Sequence, residues 1–148
     1  MKIASFFALA LALFTISQAR TADDKPENTS PEGNWVAIET ETGGKKYPAK
    51  AAQKMKLVIK DSKYTSSMGK FVDKGTVKFD TTANPMTIDI VMSEGPNKGK
   101  TQQAIFEQKD DTLKLCIDLS GKERPKSFET KEDNMYYLTT YKREKEKK

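Results

Sequence analysis

Catalysis in this chain would have to rest on carboxylates, and three aspartates lie inside stretches with strand character: Asp73, Asp89 and Asp118. Two acidic side chains held at a defined separation in a cleft can hydrolyse a glycosidic bond. An aspartate that stands alone in a strand is ordinarily a surface residue, so such chemistry requires two of the three to converge. We predict that the protein is not an enzyme and that it has no catalytic residues.

Metal and thiol chemistry find little support in the composition. The sequence contains no histidine, and so lacks the commonest metal ligand and the usual general base. We predict neither a bound metal nor a cofactor. Cys116 is the single cysteine, so no internal disulfide can form, and its place inside the predicted strand Leu113–Ile117 favours a packed side chain over a reactive thiol. Because it shares a strand face with Lys114 and Asp118, its burial requires something to cover the outer face.

The chain has 148 residues and a formal net charge of +5, which indicates one domain with a basic surface. Nucleic-acid-binding proteins concentrate basic residues on a helix or on a patch with interleaved aromatic side chains. Here the lysines are spread along predicted strands, where they alternate with apolar residues. This distribution is typical of solvated strand faces and of protected sheet edges. We therefore predict no nucleic-acid partner.

The stretch Lys56–Asp80 is the centre of the predicted fold. It has the pattern of three short strands, with turns at residues 61–63 and at Gly69. Alternation of apolar and polar residues over such short runs is typical of antiparallel strands with one buried and one wet face. An isolated meander leaves its apolar face uncovered, so the remaining strands must close over it. In the third strand, one parity holds Phe71, Asp73, Gly75, Val77 and Phe79.

About eight strands, joined in order by short turns, predict an all-β fold built as an antiparallel up-and-down barrel. A two-sheet sandwich is the alternative. An eight-stranded interior is either filled by side chains or able to hold one small ligand. Trp35, the single tryptophan, is predicted to plug one end with its indole N–H on a carbonyl, the alternative being a ligand-stacking platform. Residues 47–53 form either a short strand or one helical turn, because Pro48 suits a first helical position.

The ends of the chain are predicted to lie outside the barrel. Residues 1–19 combine a lysine, an apolar segment and a final small residue, as in a secretory signal peptide that is cut after Ala19. Residues 20–32 are polar and contain two prolines, which predicts a flexible tether. Residues 33–143 form the barrel domain, and 144–148 form a charged, disordered tail. We therefore expect a periplasmic or extracellular protein.

Several segments form a combined pattern: Gly33-Asn34-Trp35, Leu57–Tyr64, Pro85–Asp89, Glu94–Thr101, Asp111–Cys116 and Glu123-Arg124-Pro125. This combination resembles a family of small secreted lipocalin-like domains of unknown function that is abundant in planctomycete bacteria. The resemblance covers about Gly33 to Arg143, and the Gly-x-Trp opening is also similar to that of lipocalins proper. It implies a calycin-type barrel and no particular ligand. Family members commonly have a hydrophobic residue after the cysteine and then an uncharged loop, so Asp118 departs from the pattern and implies a more polar barrel mouth.

We predict an extracytoplasmic binding module whose interior takes a small apolar ligand. The alternative is a secreted protein-interaction or inhibitor module with a filled barrel, which would bind a protein partner through the tether 20–32 and the loops 94–100 and 120–126. In either case we expect a monomer that does not insert into membranes. The residues predicted to form the interior, as ligand cavity or as packed core, are Trp35, Tyr64, Phe71, Phe79, Ile90, Phe106 and Leu115.

Overall fold

The computed structural model describes residues 29–145, which contain nine strands and one short helix. The predicted signal peptide, the tether up to residue 28 and the last three tail residues lie outside the described residues. The helix α1 spans Ala49–Ala52. The strands are β1 Gly33–Thr42, β2 Lys45–Lys46, β3 Met55–Lys60, β4 Lys63–Met68, β5 Phe71–Asp80, β6 Met86–Glu94, β7 Thr101–Lys109, β8 Thr112–Asp118 and β9 Tyr136–Arg143.

The strands close into a barrel. Strands β3 to β9 pair in chain order, each antiparallel to the next, and β1 pairs with β3 on one side. On its other side β1 pairs with β9, from Trp35↔Arg143 to Thr42↔Tyr137, and this pairing closes the sheet. The two-residue strand β2 is an addition beside the end of β1. The predicted all-β, up-and-down antiparallel barrel of eight main strands is confirmed, and the sandwich alternative is wrong.

One helical turn lies between β2 and β3. Pro48 precedes the helix with φ −56°, and the amides of Ala51 and Ala52 donate to its carbonyl oxygen at 2.9 and 3.3 Å. Proline suits the start of a helix because an N–H there has no partner within the helix. The helical alternative for residues 47–53 is therefore confirmed. Within the part of the chain that the structure describes, no helix is both long and apolar enough to cross a membrane.

The barrel has a closed end and an open end. At the closed end, Asp61 and Ser62 connect β3 to β4, and Asp110 begins the turn between β7 and β8; all three have positive φ. Aspartate tolerates the left-handed conformation better than most residues because its short side chain can bond nearby backbone. The open end carries α1 and the longer connections 95–100 and 119–135. The interior is therefore approached from the open end.

Trp35 fills the closed end of the barrel. It is 1% exposed, and its indole N–H donates to the carbonyl oxygen of Pro31 at 3.0 Å. The guanidinium carbon of Arg143 lies 4.2 Å from the centroid of the indole ring, and Nη1 of Arg143 donates to the carbonyl oxygen of Glu32 at 3.0 Å. The predicted plug and its carbonyl partner are confirmed. Pro31 and Glu32, which the sequence assigned to the tether, pack against the barrel.

Residues 119–135, here called the strap, lie across the outer face of the barrel. Arg124 fixes the strap there, because its Nη1 donates to the carbonyl oxygens of Ala104 at 2.6 Å and Ile88 at 3.3 Å. Its Nη2 donates to the carboxylate of Asp89 at 2.5 Å. A guanidinium has five N–H donors in one plane, so a single arginine side chain can donate to several acceptors on two strands.

The strap creates a second, smaller apolar cluster outside the barrel. Ile105 and Cys116 are paired in register with outward parity, yet they are 1% and 0% exposed. Pro125 in the strap is also almost fully buried. We infer that the strap is the segment that covers Cys116 on the outer face of the barrel. Burial, with a smaller contribution from the charge of Asp118, raises the pKa of the Cys116 thiol to about 11, as suits a packed rather than a reactive side chain.

Candidate functional site

A cavity of about 400 Å³ lies inside the barrel and reaches the open end. Residues alternate between the two faces of a strand, so every second side chain of β3 to β9 points into the same space. The apolar side chains that line the cavity are Met55, Leu57, Ile59, Met68, Val77, Ile88, Ile90, Met92, Leu115, Ile117 and Leu119. The walls are therefore largely apolar, and a ligand here would bury mainly hydrocarbon surface.

Gly75 on β5 has no side chain, and this allows the Val91 backbone and the Tyr64 ring to approach β5 closely. It pairs with Tyr64 on β4, and a Cβ atom at Gly75 would overlap the carbonyl oxygen of Val91 and press on the Tyr64 ring. The register of β5 against β6 shifts between Lys74 and Gly75. A glycine inside a strand ordinarily marks such an irregularity or a close backbone approach. Tyr64 can therefore lie against the wall, where it is 6% exposed.

Three tyrosines line the cavity and stay neutral at physiological pH. Burial first, and then the negative charge of Asp73, raise the pKa of Tyr64 to about 12. Burial is also the main cause that raises the pKa of Tyr137 and of Tyr141. The hydroxyl of Tyr141 donates to the sulfur of Met55 at 3.5 Å. These phenols offer hydroxyl groups to a ligand without placing charge in the cavity.

Among the described residues that line the cavity, Asp73 has the one charged side chain. It lies near the open end of β5, two residues after Phe71, and pairs in register with Ser66. Its oxygen Oδ1 is buried and has no hydrogen-bond partner within the described residues. A Cβ atom at Gly95, where φ is +100°, would overlap Oδ1, so glycine lets the loop 95–100 approach the carboxylate closely. The Asp73 carboxylate therefore belongs to the cavity lining near the open end, with Oδ1 covered by the loop 95–100.

The structure divides the residues that the sequence placed in the interior. Tyr64, Ile90 and Leu115 line the cavity. Trp35 and Phe106 are each 1% exposed and belong to the packed core. Phe79 is half-buried and packs edge-on against Phe106, with ring centroids 6.4 Å apart and an interplanar angle of 84°. The predicted interior is therefore partly cavity and partly core.

The prediction that Phe71 lies in the interior is wrong. Phe71 is 54% exposed. It has the inward parity, but it is the first residue of β5, directly after the turn at Gly69 and Lys70. Phe71 therefore lies at the rim of the open end, where β5 has no further residue that could cover its ring. Parity alone indicates the face of a strand and not its distance from the mouth.

Other lining residues were not selected from the sequence. Met55, Met68 and Met92 bring flexible apolar side chains from three strands, and Tyr137 and Tyr141 come from β9. The alternation of Tyr137, Thr139 and Tyr141 along the last strand was the available signal. It could not decide between the two faces, because tyrosine and threonine occur on either.

The three in-strand aspartates have separate surroundings. Asp73 lines the cavity, whereas the Asp89 carboxylate accepts from Arg124 of the strap on the outer face. Asp118 accepts from the amide of Ser120 at 2.9 Å and from its hydroxyl at 2.6 Å. Burial acts to raise the pKa of Asp118, but hydrogen bonds from Ser120, Glu123 and Lys122 outweigh it and lower that pKa. Asp73 is thus divided from the other two by the barrel wall.

Among residues 29–145, no three histidine, cysteine, aspartate or glutamate side chains are grouped so that they could hold a metal ion. Comparison with known protein families, with curated proteins and with solved structures finds no match to this chain. The resemblance to the planctomycete lipocalin-like family therefore stays a prediction.

Proposed function

We propose that the protein binds a small, largely apolar molecule inside the barrel. The observation that carries this proposal is the cavity of about 400 Å³ with mainly apolar walls. Small-molecule sites are concave, mostly apolar and supplied with a few polar groups, and they commonly occupy the mouths of β-barrels. Ser66, Asn97 and Gln102 are polar groups of this kind. A barrel built only for stability would gain from filling such a space with larger side chains.

The test uses an uncharged fluorescent probe, N-phenyl-1-naphthylamine, whose emission rises in apolar surroundings. Ile90 lines the cavity and Val91, the next residue on β6, is 45% exposed on the outer face. Ile90→Trp should fill the cavity and abolish saturable probe binding, and the matched control Val91→Trp should retain it. Leu115→Trp gives a second way to fill the cavity if the first variant folds poorly. Absence of saturable binding to the unaltered protein would overturn the proposal.

We further propose that the protein acts outside the cytoplasm. The support is the signal-peptide pattern of residues 1–19, with Lys2 ahead of an apolar segment and Ala19 at its end. The mass of the protein recovered from its host should correspond to a chain that begins at Arg20. Recovery of the chain with Met1 or Lys2 still attached, and from the cytoplasm, would contradict this.

We propose binding rather than catalysis as the activity. The separate surroundings of Asp73, Asp89 and Asp118 support this, because paired-carboxylate hydrolysis needs two acids in one cleft. A ligand identified in the cavity should be recovered chemically unchanged after prolonged incubation with the protein. Conversion of that ligand, lost in Asp73→Asn, would contradict this.

A second candidate function is capture of a protein partner at the open end. Exposed apolar side chains at that end favour it: Tyr47, Met68, Phe71, Leu119 and Met135. Exposed apolar groups that cluster ordinarily mark interaction sites. Under this function, a partner captured from the extracytoplasmic fraction of the host should be retained by Ile90→Trp and lost by Phe71→Ser combined with Met135→Ser. The opposite pattern would assign capture to the cavity.

A further inference from the structure

The cavity has a marked asymmetry of charge. Asp73 is negative, and among the residues that the structure describes no lysine or arginine lines the space. None of the ion pairs within residues 29–145 involves Asp73. The Asp73 carboxylate borders the cavity, and its oxygen Oδ1, which the loop 95–100 covers, has no donor within the described residues, whereas native structures ordinarily satisfy such groups. Its most direct complement is a positively charged hydrogen-bond donor supplied from outside the chain.

Basic residues at the open end do not supply that donor. Lys70, Lys98 and Lys100 are exposed, and Lys100 donates to the Asn97 side-chain oxygen at 3.2 Å. Exposed lysines are hydrated and screened by salt over about 8 Å at physiological ionic strength. They can influence the approach of a ligand, whereas Asp73 belongs to the lining of the cavity that would receive it.

The position of Asp73 sets an orientation for a bound ligand. Asp73 lies near the open end, whereas Ile59 and Val77 line the cavity nearer the closed end of β3 and β5. An elongated ligand would place its apolar body among these side chains and its polar group at Asp73. Tyr64, whose pKa is raised to about 12 mainly by burial and less by the charge of Asp73, adds a neutral hydroxyl to the same lining.

We propose that the ligand is an amphipathic amine, with an apolar body in the cavity and a protonated nitrogen paired with the Asp73 carboxylate. This inference rests on the proposed binding function and specifies its ligand class. A fatty acid or other apolar carboxylate fits poorly, because its head group would meet a like charge at the open end. A charged donor on a carboxylate forms a shorter and stronger hydrogen bond than a neutral donor.

The test compares ligands that share one apolar body and differ in their head group. Tryptamine carries an ammonium, tryptophol a hydroxyl and indole-3-propionate a carboxylate. A second series of octylamine, octanol and octanoate repeats the comparison with an aliphatic body. Calorimetric titration of the full mature chain at physiological salt should give the tightest binding for the amine and the weakest for the carboxylate in each series.

Two variants assign the preference to Asp73. Asp73→Asn keeps the shape and removes the charge, and tryptamine should then bind about tenfold or more weakly, since hydrogen bonds to charged groups are among the stronger ones. Tryptophol should change by less than about threefold, and the difference between tryptamine and indole-3-propionate should largely disappear. Glu94→Gln is the matched control, because Glu94 is an exposed acid at the same end that pairs with Lys74. It should leave the preference unchanged.

The outcomes separate this inference from the proposed function. Amine preference that is lost in Asp73→Asn and kept in Glu94→Gln supports the inference. Binding of the neutral naphthylamine probe with no preference for tryptamine over indole-3-propionate overturns the amine assignment and leaves the cavity function standing. Amine preference that survives in Asp73→Asn also overturns it. No binding of the probe or of either series overturns both.

Discussion

Arg143 joins three parts of the closed end through one side chain. Its guanidinium stacks on Trp35 at 4.2 Å, donates to the Glu32 carbonyl at 3.0 Å and lies 3.4 Å from the Asp111 carboxylate. The pair with Asp111 is exposed enough to contribute little. We expect Arg143→Met to lower the free energy of unfolding by about 2 kcal/mol, through the lost cation–π contact and charged hydrogen bond. Chemical denaturation followed by Trp35 fluorescence measures this.

Lys142 gives the matched control for Arg143. It is the preceding residue on β9, it is exposed, and no ion pair within residues 29–145 involves it. Lys142→Met should change the free energy of unfolding by less than about 0.5 kcal/mol. Equal effects of the two substitutions would show that the guanidinium contacts of Arg143 do not stabilise the closed end.

Tyr64 makes stability depend on pH in the alkaline range. Burial and the charge of Asp73 raise its pKa from 10.0 to about 12. Because the unfolded chain loses the Tyr64 proton first, its contribution is complete below about pH 10 and is lost as pH rises towards 12. We expect the free energy of unfolding to fall less over this window in Tyr64→Phe than in the unaltered protein. Tyr47→Phe, at a position that is 48% exposed, serves as the control.

The pKa of Tyr64 also tests whether the Asp73 carboxylate acts on the phenol. Removal of the Asp73 charge in Asp73→Asn takes away one of the two causes that raise the pKa of Tyr64, and leaves burial as the remaining one. Tyrosinate absorbance during alkaline titration should therefore show Tyr64 ionising at lower pH in this variant than in the unaltered protein. An unchanged titration would mean that the carboxylate does not act on the phenol.

Among the elements, the strap is held to the barrel by few polar contacts. Arg124 makes three of them, to Ile88, Ala104 and Asp89. Loss of such contacts allows a segment to open without unfolding the rest. We expect Arg124→Met to raise the rate at which Cys116, fully buried under the strap, is alkylated by iodoacetamide, by about tenfold or more.

Lys126 provides the control within the strap. Its ion pair within residues 29–145, to Glu123, is exposed and long at 3.9 Å. Lys126→Met should therefore leave the alkylation rate of Cys116 unchanged within about twofold. If Arg124→Met raises the rate only as far as its loss of global stability requires, the strap opens together with the barrel and is not a separate cover.

For the whole molecule, the packed structure begins before the first strand. Trp35 donates to Pro31 and Arg143 donates to Glu32, so the two residues ahead of β1 belong to the closed end. A chain that begins at Gly33 should be less stable than one that begins at Thr29 by about 2 kcal/mol, since it loses both hydrogen bonds and the burial of Pro31. Thermal and chemical denaturation of the two chains measure this difference. Equal stability would contradict it.

Local sequence patterns were sufficient to predict the strands and the barrel. Alternation along residues 56–80 and along the later strands is a property of neighbouring residues, and each strand needs one buried face whatever its partners are. Trp35 at the start of the first strand likewise indicated a plugged end. The inward parity of Asp73 was also visible, because it shares a strand face with Val77.

Only the tertiary structure decided what the interior contains. A cavity is the difference between the space enclosed by eight strands and the volume of the side chains they contribute, so it depends on register between residues far apart in sequence. For the same reason Phe71 lies at the mouth, Phe106 lies in the core, and Leu115 lines the cavity, although all three alternate correctly in their strands. The cover over Cys116 likewise required a strap that meets β6 and β7 from the connection after β8.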